Sequence, residues 1–443
     1  MNIVGKAAAT LAGLSLLVPA HAFAEGTGTA SELGFVLNSF LLLISGMLIV
    51  FMAAGFSMLE AGFVRVRNVA MQLTKNVSLV AVATLMYFLV GHHLLLPDGN
   101  WTITGILGSV QVAEHLPVNL EGIEVDHSTA ASGATFFFLL MFCATTASIV
   151  SGSLAERIRL VPFLIFIAVL TGILYPVQAS WTWGGGFLAE TIGFKDFAGA
   201  SVVHAVGGWA ALAGVLVLGP RQGKFDGDRI VPFPASNLTL TTLGVFLLWI
   251  GWFGFNGGSL FVLHDDKSAS NLARIFINTD LAAAGGAISA MILSRILFRA
   301  VDLTLVLNGS LAGLVAITAE PLWPSMGASF LIGAIAGVIV VFALPWLETR
   351  GIDDVVGAIP VHLFAGIWGT LAVALTNPEA NLASQATGIA VIGAFVFSTS
   401  MIVWLVLRYT IGLRLTREDE ITGLDLAELG TEAYPEFAST EFR

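Results

Sequence analysis

The sequence predicts an all-α polytopic membrane protein with eleven transmembrane helices, a five-plus-five inverted repeat and an extra C-terminal helix. Three observations favour this fold. The 443-residue chain is 56% hydrophobic and only 11% charged, which lies far outside the range of soluble globular domains. Its apolar runs are long enough to cross a bilayer core of roughly 30 Å. A polar motif built around one histidine occurs twice, five apolar runs apart.

The first 24 residues have the pattern of a cleaved signal peptide. Lys6 forms the positive region, residues 7–18 the short apolar region, and Ala22-Phe23-Ala24 the small-x-small cleavage site. Cleavage leaves a mature N-terminus near Glu25 on the external side. The alternative is an uncleaved first span, although this apolar run is short for a bilayer.

Residues 25–411 are predicted to form the transmembrane domain. Eleven apolar runs give spans at 35–60, 69–95, 132–154, 160–178, 199–219, 238–258, 271–297, 303–320, 326–347, 356–376 and 385–411. With an external N-terminus, the odd-numbered connections face the cytoplasm and carry ten Lys or Arg residues, whereas the even-numbered ones carry only Lys195 and Lys267. The positive-inside rule supports this orientation and places the tail, residues 412–443, in the cytoplasm.

The duplicated motif lies in the fifth and tenth spans. Asp196 precedes His204 by eight residues, and Asp354 precedes His362 by the same distance. Five is an odd number of crossings, so the two copies traverse the membrane in opposite directions. Such an inverted repeat is typical of proteins whose substrate path lies near the midplane.

Other features limit the possible functions. The net charge of −11 does not bear on nucleic acid, because the acids lie mostly in connecting loops and the tail, but the sequence has no basic face to bind phosphate. The single cysteine, Cys143, has no metal-ligand or disulfide partner in the sequence. Gly309-x-x-x-Gly313 and Gly333-x-x-x-Gly337 predict close helix contacts. The long loop 96–131 is either a folded external cap or a simple connection.

Five short runs occur in a fixed order along the mature chain. They are Ser153-Leu154-Ala155-Glu156-Arg157-Ile158, Trp183-Gly184-Gly185-Gly186, Asp196-Phe197-Ala198-Gly199, Gly251-Trp252-Phe253-Gly254-Phe255-Asn256, and the tail from Gly423-Leu424-Asp425 to Glu432-Ala433-Tyr434. In this order and spacing, the chain resembles the ammonium transporters of the Amt/Rh superfamily, of bacterial Amt type. The resemblance implies a homotrimeric, multi-pass protein of the cell inner membrane that serves nitrogen assimilation.

Two histidines are the strongest candidate pore residues. A buried ionisable group in a membrane span is costly and marks a functional site by default. A lone histidine is more often a satisfied core residue, but the matched positions of His204 and His362 favour a pore. The resemblance implies that these two are the family's twin pore histidines.

The resemblance also implies an aromatic entrance. Phe142 and Phe255 match the stacked rings that form a hydrophobic gate, and Phe138, Trp183 and Ser259 match the residues that recruit ammonium. From the residues alone, the phenylalanines are ordinary core or lipid-facing side chains and Trp183 is an interfacial belt residue. An indole face attracts a cation by roughly 0.5–2 kcal/mol.

Acidic residues are expected to support these sites. The resemblance implies that Asp196 shapes the entrance without touching substrate, and Asp354 is expected to cap the tenth span similarly. Several relatives carry an acid where this chain has Gly357. Asp280, inside the seventh span, is expected either to pair with Asn278 or Thr279 or to have a second functional role.

The tail is expected to be ordered rather than a solvated end. Arg414, Arg417, Glu418, Glu420, Gly423, Leu424, Asp425 and Tyr434 match a region that, in the family, packs on the cytoplasmic face and contacts the neighbouring subunit. Leu429 stands where many relatives have a histidine. A cytoplasmic P-II type signalling protein is the partner that the resemblance implies.

These expectations together describe an ammonium transporter or channel in the lipid bilayer. Ammonium is recruited outside and deprotonated, and ammonia passes the two histidines with or without the proton. Two alternatives stay open, namely a passive ammonia gas channel of Rh type and a non-transporting ammonium sensor. An enzyme is not expected, since the sequence has no catalytic constellation, metal cluster or cofactor motif.

Overall fold

Long apolar helices make up most of the computed structural model, which describes residues 30–113, 130–227 and 229–435. The signal peptide predicted over residues 1–24 lies outside the described residues, as does about half of the loop between the second and third spans.

Eleven apolar helices follow one another along the described chain. They are α1 Ser31–Phe63, α2 Val66–Leu95, α3 Ser132–Ser153, α4 Leu160–Ser180, α5 Ala200–Leu218, α6 Leu238–Gly258, α7 Asp266–Phe298, α8 Leu303–Thr318, α9 Met326–Thr349, α10 Ile359–Thr376 and α11 Leu382–Thr410. Ten of them are long and apolar enough to cross a membrane, whereas α8 is shorter. At 1.5 Å per residue, its 16 residues extend about 24 Å, less than a typical bilayer core. The predicted multi-pass helical fold is confirmed, and the count of eleven spans stays a prediction.

Glycines bring the helices into backbone contact. A Cβ at Gly309 would lie 2.5 Å from Ala290 Cβ, and one at Gly337 would lie 3.0 Å from the Gly286 carbonyl carbon. The two Gly-x-x-x-Gly motifs therefore pack α8 and α9 against α7, as the sequence predicts. Gly55 and Gly244 do the same between α1 and α6, where a Cβ on either would come within 2.9 Å of the other's carbonyl oxygen.

A small hairpin covers one end of the helices. Strands β1 Trp101–Ile103 and β2 Leu107–Gly108 pair antiparallel, and the tip of the hairpin accepts hydrogen bonds from Trp181 Nε1 to the Ile106 oxygen at 2.8 Å and from the Phe187 amide to the Gly105 oxygen at 3.0 Å. The described part of the loop is thus folded onto the helices. We call this end the hairpin side.

The tail packs on the opposite end, which we call the tail side. Its short helix α12 Arg417–Thr422 is held by an ion pair at 2.8 Å between Glu420 and Arg414. Beyond it, the Asp425 carboxylate accepts the Ala70 and Met71 amides at the start of α2, and Glu428 accepts the Leu160 amide at the start of α4. Carboxylates are favoured at helix N-termini, so the tail stabilises two helix starts in the membrane domain.

Candidate pore and its two vestibules

Two matched turns open helices α5 and α10. Each turn is π-helical, spanning Ala200–Ala205 in α5 and Ile359–Phe364 in α10, and each contains one of the two histidines. Each is preceded by a glycine in the left-handed region, Gly199 at φ 100° and Gly357 at φ 79°. Single π turns interrupt helices frequently at functional sites.

The two turns are pressed together by a second pair of glycines. A Cβ at Gly208 would lie 2.6 Å from Leu363 Cβ, and a Cβ at Gly366 would lie 2.5 Å from the Ala200 carbonyl oxygen. Each glycine follows the histidine of its own helix by four residues. Because both positions lack a side chain, α5 and α10 cross closely beside the histidines.

The two histidines lie within hydrogen-bond distance of each other. Nδ1 of His204 and Nδ1 of His362 lie 3.2 Å apart, with ring centroids separated by 5.3 Å. Such a bond requires one Nδ1 to carry the proton and the other to accept it. Both side chains are buried, and His204 Nε2 has no hydrogen-bond partner within the described residues. One ring nitrogen of His204 thus remains available to a small polar molecule.

A stacked aromatic pair lies on the hairpin side of the histidines. The Phe142 and Phe255 rings are parallel within 20°, with centroids 3.9 Å apart, and both side chains are buried. Phe255 also lies 5.3 Å from the His204 ring. Trp252 stacks on His204 at 5.0 Å and is fixed by its own hydrogen bond to Thr318 Oγ1. The histidines are therefore enclosed by aromatic rings on this side.

A cavity of about 360 Å³, the hairpin-side vestibule, opens above the phenylalanine pair. It brings together all three residues expected to recruit the substrate, and it is lined by Leu96, Thr135, Phe138, Leu139, Phe142, Thr182, Trp183, Phe197, Ser259 and Phe261. Ser259 donates its hydroxyl proton to the Phe255 carbonyl at 2.9 Å, which leaves its oxygen lone pairs for an incoming donor.

Phe261 and Thr182 are among the lining residues of this vestibule that the sequence motifs do not indicate. Phe261 lies edge-on to Phe138 with centroids 5.6 Å apart, and its backbone is left-handed at φ 62°. Thr182 has a buried hydroxyl without a hydrogen-bond partner among the described residues. Thr182 directly precedes Trp183, and this adjacency is the one feature of the sequence that could have indicated it. The left-handed backbone of Phe261 has no sequence signature.

Asp196 caps α5 from outside the span. Its two carboxylate oxygens accept the backbone amides of residues 199–202 at 2.7–3.0 Å. Burial raises the pKa of this carboxyl to about 6, although the four amides act in the opposite direction. Its own carbonyl accepts Trp183 Nε1 at 3.0 Å. Asp196 thus fixes the indole of Trp183 without lining the vestibule itself.

A second cavity of about 510 Å³, the tail-side vestibule, lies at the start of α10. Its polar lining residues include Arg221, Lys224, Asp302, Asn308, Glu348 and Asp354, and Gly357 also borders it. Asp354 Oδ2 accepts the Ile359 amide at 2.7 Å, while Oδ1 has no partner within the described residues. Burial raises the pKa of Asp354.

An ion-pair network beside this vestibule was also missed. Arg221 pairs with Asp353 at 2.9 Å and with Glu156 at 3.3 Å, and Glu156 also pairs with Arg65 at 2.5 Å. Burial alone would raise the pKa of Asp353, but the charges of Arg157 and Arg221 outweigh it and hold that pKa well below its usual range. The sequence identified these arginines only as markers of orientation, because their partners are distant in the chain.

The expected pairing of Asp280 with Asn278 or Thr279 is wrong. Asp280 Oδ1 accepts Trp249 Nε1 from α6 at 3.1 Å, whereas Asn278 donates to the Pro321 carbonyl at 2.8 Å. Residues one and two apart on a helix point to different faces, so they find separate partners. Within the described ranges, no cluster of three or more potential metal ligands occurs.

Comparisons with known proteins find similarity over most of the chain. The profile described as Ammonium Transporter Family matches residues 40–434. Ammonium transporter Amt2 of Archaeoglobus fulgidus is 40% identical over 429 residues, covering 90% of this chain and 88% of the relative. Ammonium transporter Amt2 of Haloferax mediterranei is 35% identical over 415 residues, covering 89% of each.

Solved structures share the fold. One titled Sensor Amt Protein has a TM-score of 0.83 at 32% identity and covers 90% of this chain and 99% of its own. The crystal structure of Candida albicans Mep2 has a TM-score of 0.78 at 24% identity and covers 94% of each chain, which supports the fold alone.

The helices and the central site define a multi-pass membrane protein with a histidine pair buried between two vestibules on opposite sides. The family match narrows this class, and it confirms the resemblance inferred from the sequence motifs. The chain belongs to the ammonium transporter family.

Proposed function

We propose that this chain collects ammonium in the hairpin-side vestibule, deprotonates it there and conducts ammonia past the two histidines, with or without the released proton. The observation that carries the proposal is an unbroken series of contacts. Trp183 lies 5.8 Å from Phe142, Phe142 is stacked on Phe255, Phe255 lies 5.3 Å from His204, and His204 is hydrogen-bonded to His362.

Recruitment rests on aromatic faces and one hydroxyl. An ammonium ion in the vestibule would meet the rings of Phe138 and Trp183, each able to attract a cation by roughly 0.5–2 kcal/mol. Ser259 would accept one N–H, because its own proton is already donated to Phe255. The site would therefore bind ammonium weakly and reversibly, as transport requires.

Deprotonation before the phenylalanine pair is the favoured route. The stacked rings offer an ion no polar group, and burying an unpaired charge there costs several kcal/mol. Ammonia is neutral and small, so it can pass when a ring changes rotamer. Beyond the rings, Nε2 of His204, unpartnered within the described residues, offers a hydrogen bond that replaces the lost solvent.

Current and flux measurements on proteoliposomes test this function. Wild type is compared with His204→Ala and Trp183→Ala after ammonium addition. We expect a current in wild type, its loss in His204→Ala at retained folding, and a weaker apparent affinity in Trp183→Ala. Unchanged transport in His204→Ala would contradict the role of the histidine. Ammonia flux without current in wild type would indicate the passive gas channel instead.

A non-transporting ammonium sensor is the second candidate. One observation favours it, namely the structural similarity to the protein titled Sensor Amt Protein. A sensor needs the vestibule but not conduction. Ammonium binding measured by calorimetry, with neither current nor flux from the same preparation, would therefore identify a sensor.

Topology and assembly complete the proposal. We place the hairpin side outside, the tail in the cytoplasm and the protein in the inner membrane, with α5 and α10 related by an inverted repeat. The matched turns support the repeat. Thr102→Cys and Thr431→Cys, labelled with a membrane-impermeant thiol reagent, test the orientation, because opposite accessibility of the two sites is expected.

Native mass spectrometry tests the homotrimer, and pull-down with the tail deleted tests a P-II type partner.

A further inference from the structure

A polar cluster is buried where α1, α2 and α3 meet. Glu60 is 1% exposed, and its Oε2 accepts hydrogen bonds from Asn76 at 2.6 Å, from Ser151 at 2.9 Å and from Gln72. Three neutral donors on one oxygen stabilise a carboxylate. An ionisable residue within a span is costly and marks a functional site by default.

The positive charge of this cluster belongs to Lys75. Its Nζ donates to the Ser151 carbonyl at 2.9 Å and to Gln72 Oε1 at 3.3 Å, and it lies 4.6 Å from the centre of the Phe163 ring. Gln72 and Ser151 thus bridge the Lys75 side-chain amine to Glu60, and no direct ion pair joins Lys75 and Glu60 among the described residues. Lys75 offsets the charge of Glu60 without covering the carboxylate.

Glu60 also lines a small cavity together with His362. The cavity holds about 10 Å³, room for about one water-sized molecule. Phe56, one helical turn before Glu60, lies 6.0 Å from the His362 ring, so α1 presents the same face to the cavity. Gly152 leaves space there, because a Cβ would approach Glu60 Oε1 to 3.0 Å.

This cavity continues toward the tail side. Asn308 and Val356 line both the small cavity and the tail-side vestibule. Asn308 is further fixed by a 3.3 Å bond from its amide to the Val356 carbonyl. The order along the path is therefore the histidine pair, then Glu60, then the vestibule that contains Asp354.

We propose that Glu60 is a proton-binding residue between the pore histidines and the tail-side vestibule. The inference rests on the proposed transport function and names a further group in it. The Glu60 carboxylate accepts the proton that leaves ammonium and crosses the two imidazoles, which forms one O–H bond and gives the neutral acid. Ammonia arriving on the tail side takes that proton, so the O–H bond breaks and carboxylate and ammonium are regenerated.

The test compares charge movement with ammonia flux in proteoliposomes of the full chain. The variants are Glu60→Gln and the double variant Glu60→Gln/Lys75→Met, which removes both charges together. Both are expected to keep ammonia flux and to lower the ammonium-induced current at least roughly tenfold, equal to about 1.4 kcal/mol in the barrier. The matched control is Asp280→Asn, because this carboxylate is exposed on α7, lines neither vestibule and accepts a bond from Trp249; this variant is expected to keep the wild-type current.

Other outcomes overturn the inference. Full current in Glu60→Gln does so, and so does full current in the double variant when the single variant is inactive, because Glu60 would then only neutralise Lys75. Wild-type flux without any current overturns it and indicates the passive gas channel, in which ammonia still passes the histidines but no proton does. If wild type shows neither flux nor current, the proposed transport function itself is contradicted.

A second measurement uses wild type, so it tests the proposal even if the Glu60→Gln variants do not fold. Infrared difference spectra of wild type during ammonium addition are expected to contain a protonated carboxylic acid band. Glu60→Asp keeps the charge opposite Lys75 and should shift that band. A wild type without the band, or a band unmoved by Glu60→Asp, contradicts protonation of Glu60.

Discussion

The two vestibules differ in what lines them. None of the described residues around the hairpin-side vestibule is charged, and aromatic rings supply half of its ten lining residues. The tail-side vestibule instead contains both basic and acidic side chains, Arg221, Lys224, Asp302, Glu348 and Asp354. Aromatic faces select a bare cation without a counter-ion, whereas charged walls favour water. We therefore expect capture on the hairpin side and rehydration on the tail side.

The starts of α5 and α10 differ in how completely their aspartates are hydrogen-bonded. Asp196 accepts four backbone amides and is fully engaged. Asp354 accepts the Ile359 amide and keeps one oxygen without a partner in the described part of the chain. The α5 start is therefore fully hydrogen-bonded, and the Asp196 carbonyl holds the Trp183 indole, whereas the α10 start keeps one buried acceptor without a partner in the described part of the chain.

The largest effect is expected at the ion-pair network. Asp353→Asn removes one of the two carboxylates beside Arg221 and leaves Glu156 alone to offset the buried arginines, which costs about 3–5 kcal/mol of folding stability. Thermal unfolding in detergent, followed by size-exclusion chromatography, measures it. Asp302→Asn is the matched control, because an asparagine still caps α8 through the Thr304 amide. Equal unfolding temperatures for the two variants would contradict the importance of the network.

The same group predicts a pH dependence of stability. The native pKa of Asp353 is depressed, so its stabilising contribution is complete above the ordinary aspartate pKa and is lost only as the pH falls through the lower native value. Wild type should therefore keep this contribution in mildly acidic buffer. A stability gap between wild type and Asp353→Asn that closes already at neutral pH would contradict the ion pair.

The next effect separates the two helix starts. Asp196→Ala leaves four amides without an acceptor and should destabilise by about 2–3 kcal/mol, while Asp354→Ala should cost about 1 kcal/mol. Transport should fall at least roughly tenfold in Asp196→Ala, since the loop that holds the Trp183 indole loses its anchor. Flux assays and unfolding curves on both variants provide the measurement. The reverse order of effects would remove the distinction between the two starts.

A smaller effect distinguishes the glycines. Gly366→Ala places a Cβ 2.5 Å from a backbone oxygen of α5, and overpacking of this kind costs about 1–3 kcal/mol. Gly357→Ala meets the Asn308 side chain at 3.0 Å and carries a left-handed φ, which costs about 1–2 kcal/mol. Only Gly366→Ala should separate the histidines, so its ammonium current should fall further. Matching currents in the two variants would count against the close crossing.

The smallest expected effect is a pH dependence of recruitment. The pKa of Asp196 is about 6, so its carboxylate becomes protonated as the pH falls through that value. The protonated form accepts fewer amides and supports Trp183 less well, and the KM for ammonium should rise. Asp196→Asn should have a KM that varies less over the same range. Wild-type and variant KM values that follow one common pH curve would argue against this role. Since the native pKa lies above the unfolded one, the free energy of unfolding is highest below the ordinary aspartate pKa and falls as the pH rises through about 6, because the buried carboxyl must ionise. The four amide bonds offset part of this cost.

Much of this arrangement could be predicted from the sequence, because its signals are local. Ten spans, the glycine motifs and the spacing from Asp196 to His204 are patterns within short stretches. The family resemblance then named the residues that the fold brings into one cavity, including Trp183 and Ser259.

The rest depends on contacts between distant segments. Glu60 reaches Ser151 across 91 positions and Asp353 reaches Arg221 across 132, and no pattern in a single sequence pairs such residues. Lys75 lies inside the predicted span 69–95 and was not singled out, because one charge in a long apolar run does not change the hydrophobic pattern that predicts a span. The backbone of Phe261 follows from packing rather than from its residue type. The residues of the histidine pair and of the hairpin-side vestibule are therefore predictable from the sequence, whereas the buried charges near them are not.

The bond between the two Nδ1 atoms would make each proton transfer along the proposed path depend on the transfer before it. A proton that enters at His204 Nε2 and leaves from His362 Nε2 exchanges the donor and acceptor roles of the two rings. The next proton in the same direction finds the first nitrogen already occupied, until both tautomers are restored. Ammonia needs no such resetting. Charge would therefore cross in single, separated events, and the recovery of the tautomers would limit the rate at which current follows flux.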